Sequence, residues 1–181
     1  YHTACIGKWH LGMGLPEGES NPVITDGPMT RGFDSYFGIS ASLDMPPFAF
    51  IDNERFTEPL TTTKKWQRTG AAAAGFEAVD VLATFTRKAV EYITTRAKTK
   101  EPFFLYMPLA SPHTPIVPSK DWKGKSSIGK YGDFVMETDW AVGEVMKSID
   151  EAGVAANTII IFTSDNGCSK AADIKSMEKK G

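Results

Sequence analysis

The fold is decided by residues 76–107, which read FEAVDVLATFTRKAVEYITTRAKTKEPFFLYM. In the first part of this stretch, apolar residues recur at helical spacing, with charged residues on the other faces. The apolar set is Val79, Leu82, Phe85, Ala89 and Ile93. This spacing predicts an amphipathic helix from Phe76 to about Ala97. Pro102 ends the polar turn that follows, and the apolar run 103–107 predicts a strand covered on both faces.

On the N-terminal side, residues 3–7 (TACIG) form a short apolar run that predicts a buried strand. Residues 11–75 are rich in Gly, Pro, Asp and Thr without a sustained period, which predicts a long excursion of loops and short strands. Within it, the apolar residues 48–51 and 55–56 flank Asp-Asn-Glu and predict a small hairpin.

On the C-terminal side, the sequence predicts a second helix that begins near Asp133, a good N-cap, and ends at Gly153. Its predicted inner stripe is Val135, Thr138, Val142, Val145 and Ile149. Residues 158–162 (TIIIF) then predict a buried β-branched strand that ends at residues 163–167 (TSDNG).

The predicted order is strand, long excursion, helix, strand, helix, strand. This order favours an α/β sandwich with a largely parallel sheet. In such sheets, ligands bind beyond the carboxyl ends of the strands, so polar residues that directly follow a predicted strand are the first candidates for a functional site.

The composition excludes several classes of protein. The 181 residues are 41% hydrophobic and 23% charged, with a net charge of −2, as in an ordinary globular domain. This charge gives no reason to expect nucleic acid or an anionic membrane as a partner. No run approaches the roughly 18 apolar residues of a membrane span. Cys5 and Cys168 are in no CxxC pair, and we expect two unpaired thiols.

Three polar motifs follow the predicted strands. Lys8 and His10, bracketed by glycines, offer a cation for an anionic oxygen and an imidazole that exchanges a proton near neutral pH. His113, in a loop stiffened by prolines, suits a general acid or an anion ligand. Asp165 and Asn166 supply two hard oxygen ligands of the kind that Ca²⁺ or Mg²⁺ takes.

Each motif alone has a simpler interpretation: a surface lysine, a structural histidine or an Asn-Gly turn. Together they predict a cation, two histidines and a hard-metal pair at one sheet edge, which fits the binding of a tetrahedral oxyanion.

The motifs also carry a family resemblance. TACIGKWHLG (3–12), TRGFDSYFGISASLD (30–44), PFFLYMPLASPHTP (102–115) and IIIFTSDNG (159–167), in this order, resemble the formylglycine-dependent type I sulfatases of the alkaline-phosphatase-like superfamily, in particular arylsulfatase A and N-acetylgalactosamine-6-sulfatase. The resemblance covers essentially the whole chain. It implies a three-layer α/β sandwich, incomplete here, with residues 1–181 forming part of a single catalytic domain.

The resemblance implies roles for matching positions. Lys8 would contact the sulfate and the formylglycine, and His10 would assist sulfate elimination. His113 would bind the sulfate ester and protonate the departing oxygen, and Ser42 would contact the substrate. Asp165 and Asn166 would be ligands of Ca²⁺. The family mechanism is covalent: a hydrated formylglycine attacks sulfur, the alcohol leaves, and the second hydroxyl then expels sulfate.

Some parts of the family pattern are not in the sequence. The CxPSR motif that yields formylglycine is absent, as are the N-terminal Asp-Asp pair and the downstream lysine segment. Both ends resemble cuts from a longer protein. We therefore expect this chain alone to be inactive and to bind a metal weakly or not at all.

Other functions stay open at this point. They are a phosphatase or phosphodiesterase of the same superfamily and a non-catalytic sulfatase-like protein. The expected partner is a sulfated small molecule or glycan, and the resemblance implies a periplasmic, secreted or lysosomal location. Lys64, Lys65 and Arg68 could assist in binding an anionic glycan, although a solvated loop is the default interpretation.

Overall fold

The computed structural model describes residues 1–15, 18–168 and 170–180, with only the backbone at position 171. Its strands are β1 (His2–Lys8), β2 (Ser35–Ile39), β3 (Ile51–Asp52), β4 (Arg55–Phe56), β5 (Leu60–Lys65), β6 (Thr69–Ala73) and β7 (Phe103–Tyr106). Its α-helices are α1 (Val81–Arg96), α2 (Lys130–Glu151) and α3 (Ile174–Glu178). Short 3-10 turns cover Pro28–Arg31, Ala78–Asp80, Ala155–Asn157 and Lys170–Ala172.

The main sheet has the strand order β4-β3-β2-β1-β7 among the described residues. β1 lies between β2 and β7 and runs parallel to both. The small β3–β4 hairpin, which the sequence predicted, continues the sheet in antiparallel fashion from β2. The predicted α/β class with a mostly parallel central sheet is thus confirmed.

The three parallel strands approach each other most closely where β1 ends. Gly7 pairs with Gly38 of β2, and a Cβ on Gly38 would overlap the Gly7 carbonyl oxygen. A Cβ on Gly7 would in turn overlap the Pro108 carbonyl oxygen, which accepts a hydrogen bond from the Lys8 amide at 2.8 Å. Only glycine fits at both positions, so the strands lie close together just before Lys8, the last residue of β1.

The helices form a layer on the sheet. α1 buries Val81, Phe85 and Ala89 in the main hydrophobic core, which confirms the predicted amphipathic helix. α2 packs against α1 through a second cluster formed by Leu82, Phe134 and Ala141. A helical layer on the other face of the sheet, as the three-layer sandwich implies, stays a prediction.

The predicted burial of residues 103–107 on both faces is wrong. β7 covers only Phe103–Tyr106, and Phe104 and Tyr106 are 52% and 44% exposed. β7 is an edge strand of the described sheet, and the rings of Phe104 and Tyr106 stack on the Phe33 ring, with centroids 6.4 Å and 6.2 Å away.

The predicted buried strand at residues 158–162 is also wrong. This segment has no regular secondary structure, and Ile159, Ile161 and Phe162 are 89%, 83% and 73% exposed. A strand needs a neighbour whose backbone completes its hydrogen bonds, and an apolar sequence does not supply one. No strand in the described ranges pairs with these residues.

The second helix differs from its prediction at its start. α2 begins at Lys130 instead of near Asp133, and Val135 on the predicted inner stripe is 41% exposed. The buried face carries Thr138 and Ile149, as predicted, together with Phe134 and Ala141. Gly153 lies just past the helix with a φ of 72°, which confirms the predicted C-terminal cap.

The long excursion holds a second hairpin that the sequence did not predict. β5 and β6 form an antiparallel pair apart from the main sheet, joined at residues 66–68. Phe48 connects this hairpin to the core through backbone hydrogen bonds to Ala71 and Ala73 at 2.9 and 3.0 Å. The two cysteines are unpaired, as predicted: Cys5 is buried and Cys168 is exposed.

Candidate active site

The end of β1 places Lys8 and His10 on either side of a buried tryptophan. Trp9 is 8% exposed, its indole N–H donates to the Gly12 carbonyl at 2.7 Å, and its backbone amide donates to Ile39 at 3.0 Å. Because this anchor holds the chain between them, Lys8 and His10 emerge at the carboxyl edge of the sheet. Lys8 is half-buried and His10 is exposed.

His10 is held by the turn that follows β2. Its backbone amide donates to the Ser40 carbonyl at 3.0 Å, and its φ of 58° lies in the left-handed region. The ring Nδ1 lies 3.3 Å from Oγ of Ser42, which is 2% exposed. The predicted substrate-contacting serine is therefore beneath the histidine ring.

The loop that carries His113 is fixed by α2 on both sides. Thr138 donates to the Ser111 hydroxyl at 2.9 Å, and the buried Glu137 accepts the Ser119 amide at 2.9 Å. His113 itself is exposed, and its Nδ1 lies 2.7 Å from the Thr114 carbonyl oxygen. A carbonyl oxygen only accepts hydrogen bonds, so Nδ1 carries the proton and Nε2 is the ring nitrogen left for chemistry.

Asp165 and Asn166 lie in the segment after residues 158–162 and are both exposed. The turn is tightened by Ser164, whose hydroxyl donates to the Asn166 carbonyl at 2.7 Å. The strand predicted before them is absent, but the Asp165 carboxylate is near enough to His10 to act electrostatically on its ring.

The pKa of His10 responds to several charged groups around the ring. Partial burial lowers the pKa of His10 below its usual value, and the positive charges of Lys8 and His113 lower it further. The carboxylates of Asp44 and Asp165 act in the opposite direction. The lowered pKa keeps the imidazole neutral near neutral pH. Lys8, His113 and Asp165 are thus all within electrostatic reach of His10.

Asp44 is a residue that the sequence reasoning missed. It is 8% exposed, it lies two residues after Ser42, and its Oδ1 is buried with no hydrogen-bond partner among the described residues. Its Oδ2 lies 4.0 Å from Nε of Arg68. The sequence shows an acidic residue in a turn, and a turn aspartate is expected to be solvated, so nothing in the pattern indicated a buried carboxylate.

Two of the predicted metal ligands are among the described residues. Asp165 and Asn166 offer a carboxylate and an amide oxygen, a donor set suited to a hard divalent cation. Over the described ranges, no group of three His, Cys, Asp or Glu side chains is close enough to hold a metal ion. The pair fits such an ion as part of a larger ligand set.

Comparison with known proteins identifies the relatives. The sulfatase family model matches residues 1–178. An N-acetylgalactosamine-6-O-sulfatase of Bacteroides thetaiotaomicron is 32% identical over 92% of this chain and 40% of its own length. The human N-acetylgalactosamine-6-sulfatase is 31% identical over 100% of this chain and 32% of its own length. The chain thus spans less than half the length of these relatives.

Solved structures show the same fold. A structure described under the metabolism of multiple glycosaminoglycans by Bacteroides thetaiotaomicron has a TM-score of 0.84 at 28% identity and covers 100% of this chain and 47% of that chain. The PsFucS1 sulfatase from Pseudoalteromonas sp. has a TM-score of 0.64 at 20% identity over 85% of this chain and 33% of its own. Since the family model covers nearly every residue, the chain belongs to the sulfatase family.

Proposed function

We propose that this chain is part of an enzyme that hydrolyses sulfate monoesters. The observation that supports the proposal is that the charges of Lys8, His113 and Asp165 all act on His10, which follows the end of β1. The relatives that match almost all of the chain are named sulfatases, which supports the same chemistry.

The side chains of this chain have separate roles in the proposed reaction. Lys8 is a compact cation that binds a sulfate oxygen as negative charge develops there. His10, kept neutral by its lowered pKa, accepts a proton at the ring nitrogen that does not face Ser42. His113 holds the sulfate ester through Nε2 and, in its doubly protonated form, gives the Nε2 proton to the departing oxygen, while Nδ1 keeps its proton on the Thr114 carbonyl.

Family membership also implies a metal ion and a formylglycine. Asp165 and Asn166 are two of the ligands that would hold the metal, which we propose is Ca²⁺. Ca²⁺ takes about 6–8 oxygen ligands, so further ligands from outside residues 1–181 would complete its set. The metal would polarise the sulfate oxygens. The formylglycine would supply the nucleophile from a segment outside this chain, because neither Cys5 nor Cys168 is in a CxPSR motif.

The proposed substrate is a sulfated sugar or another sulfated small molecule. The two relatives compared above are named for N-acetylgalactosamine 6-sulfate, and we propose a hexosamine sulfate as the first substrate to try. No described helix is long and apolar enough to cross a membrane. A periplasmic, secreted or lysosomal location stays a proposal, which fractionation of the native host would test.

The function is tested by expressing the protein from its complete reading frame, together with its maturation enzyme, and measuring its turnover of two aryl esters. We expect it to turn over 4-nitrophenyl sulfate in preference to 4-nitrophenyl phosphate. A preference for phosphate would overturn the proposal in favour of a phosphatase of the same superfamily. No turnover of either ester would favour a non-catalytic sulfatase-like protein.

His113→Ala tests the assignment of the general acid. Loss of the proton donor is expected to lower kcat by about 10²–10⁴-fold. The matched control is His2→Ala at the opposite end of β1, where the ring contacts the Tyr92 hydroxyl at 3.1 Å. This control is expected to keep normal turnover. Near-normal kcat in His113→Ala would remove His113 from the role.

A further inference from the structure

The three cationic side chains near the tip of the β5–β6 hairpin differ in their contacts. Lys64 is used internally: its Nζ donates to the carbonyls of Ala74 and Phe76 and to Oε1 of Glu77, the last at 2.7 Å. Lys65 is exposed and forms no salt bridge with the described residues. Arg68 lies beside the buried carboxylate of Asp44.

Asp44 orients Arg68 without using up its hydrogen-bond donors. Nε of Arg68 is 4.0 Å from Oδ2 of Asp44, which is an ion-pair distance beyond hydrogen-bond reach. A guanidinium has five N–H donors, and the hydrogen bonds of the described residues use none of those of Arg68. The Arg68 side chain is 59% exposed, whereas that of Asp44 is 12% exposed. The pair therefore presents an exposed cation beside a buried carboxylate.

The hairpin that carries Arg68 is fixed next to the candidate active site. Trp66, two residues before Arg68, packs its ring on Phe48 at 4.8 Å and on Phe76 at 5.7 Å between centroids. Asp44 is in the turn after Ser42, where the Met45 amide donates to the Ser42 carbonyl at 2.9 Å. This is the same turn whose serine contacts His10, and the Asp44 carboxylate acts electrostatically on the His10 ring, so Arg68 lies beside the turn that supports His10.

We propose that Arg68, oriented by Asp44, binds a second anionic group of the substrate, on the sugar next to the one whose sulfate is cleaved. This inference rests on the proposed sulfatase function and adds a preference for polyanionic glycans. A planar guanidinium forms paired hydrogen bonds with a carboxylate or a sulfate, and the two carry the same recognition chemistry. Asp44 is a positioning residue in this arrangement.

The test compares Arg68→Gln with Lys65→Gln in the protein expressed from its complete reading frame. Lys65→Gln removes the same charge from the same hairpin, away from Asp44. The substrates are N-acetylgalactosamine 6-sulfate alone, the same sugar linked to a hexuronic acid, and the same sugar linked to a second sulfated sugar. The readout is the ratio of kcat/KM for each disaccharide to kcat/KM for the monosaccharide.

Arg68→Gln is expected to lower this ratio by about tenfold, equivalent to about 1.4 kcal/mol. Lys65→Gln is expected to leave it unchanged, and Arg68→Lys to retain part of it because the charge remains. The two disaccharides show whether carboxylate or sulfate is preferred. An equal loss on all substrates, an equal effect of Lys65→Gln, or no effect of Arg68→Gln would each overturn the inference.

The affinity for the uronate disaccharide, measured by calorimetry, tests the inference independently of the proposed function. If the wild-type protein hydrolyses no sulfate ester, the proposed function fails, but tighter binding to wild type than to Arg68→Gln still supports the anion subsite. Equal affinity of the two proteins overturns it.

Discussion

His10 combines an unusual backbone conformation with a supported ring. A φ of 58° is uncommon for a residue with a side chain and carries a cost on the order of 1 kcal/mol, which the surrounding contacts must offset. The Ser40 carbonyl holds the backbone, and Ser42 lies against Nδ1. This geometry leaves Nε2 directed away from Ser42 and available to a substrate.

Ser42→Ala tests whether the hydroxyl orients the ring. Loss of one hydrogen bond of about 0.5–1.5 kcal/mol is expected to lower kcat/KM on 4-nitrophenyl sulfate by roughly 2- to 10-fold. Ser40→Ala is the control, because Ser40 is also buried but supports His10 only through its backbone carbonyl. Equal losses in the two variants would mean that Ser42 acts on packing and not on the ring.

At the scale of elements, α2 stabilises the loop that follows His113. Asp133, in its first turn, accepts the Gly124 amide at 2.9 Å and the Ser126 amide at 2.7 Å. These two backbone N–H groups lower the pKa of Asp133. Together with Glu137, Asp133 ties residues 119–126 to the helix, so the stability of the loop depends on a carboxylate.

Asp133→Asn is expected to destabilise the protein by about 1–3 kcal/mol, because one backbone donor loses its acceptor. The folded pKa of Asp133 is below the unfolded one, so its contribution is complete above the unfolded pKa and is lost as pH falls through the folded pKa. The free-energy gap between wild type and variant, measured by urea unfolding, should therefore shrink below about pH 4.

Asp139→Asn is the matched control for this change. Asp139 is on the same helix and is exposed. A loss of stability in Asp139→Asn equal to that in Asp133→Asn, or a gap that does not change with pH, would contradict the role of Asp133.

How far the sequence predicts an element depends on what stabilises that element. α1 could be predicted because its apolar spacing reports burial against neighbours that are present. Residues 158–162 could not, since their pattern shows a preference for burial but not whether a neighbouring strand exists. The start of α2 was misplaced because Asp133 has the composition of an N-cap, yet its carboxylate binds loop amides instead.

The sequence also predicts some residues of the candidate site and not others. Lys8, His10 and His113 follow β1 and β7, and parallel strands bring such positions to one edge. Asp165 follows an apolar segment that forms no strand, so this rule does not account for its place. Asp44 and its partner Arg68 could not be predicted. Their meeting depends on a hairpin whose position is set by the packing of Trp66, and no local pattern encodes that contact.

For the whole molecule, the described surface exposes a continuous apolar segment. Residues 159–162 (Ile-Ile-Ile-Phe) are exposed, as are Phe104 and Tyr106 on the edge strand β7. Exposed apolar runs and unpaired strand edges favour association between chains. The 181-residue chain by itself is therefore expected to self-associate.

The corresponding measurement is a thermal melt of the 181-residue chain with light scattering recorded in parallel. We expect no cooperative transition and a rise in scattering, because residues 159–162 and the edge strand β7 leave apolar surface exposed. Ile161→Lys, which places a charge within the exposed run, should reduce the scattering. A sharp, concentration-independent transition in the unmodified chain would show that it folds by itself.

The contrast between the two thiols has a practical consequence. Burial raises the pKa of Cys5 to about 12, so almost none of it is thiolate at neutral pH, whereas Cys168 is exposed three residues after Asp165. Since thiolate is the form that reacts, a maleimide dye attaches at Cys168 alone, within these residues, without removal of any cysteine. Cys168 can therefore carry a fluorescent reporter beside the residues proposed to hold the metal.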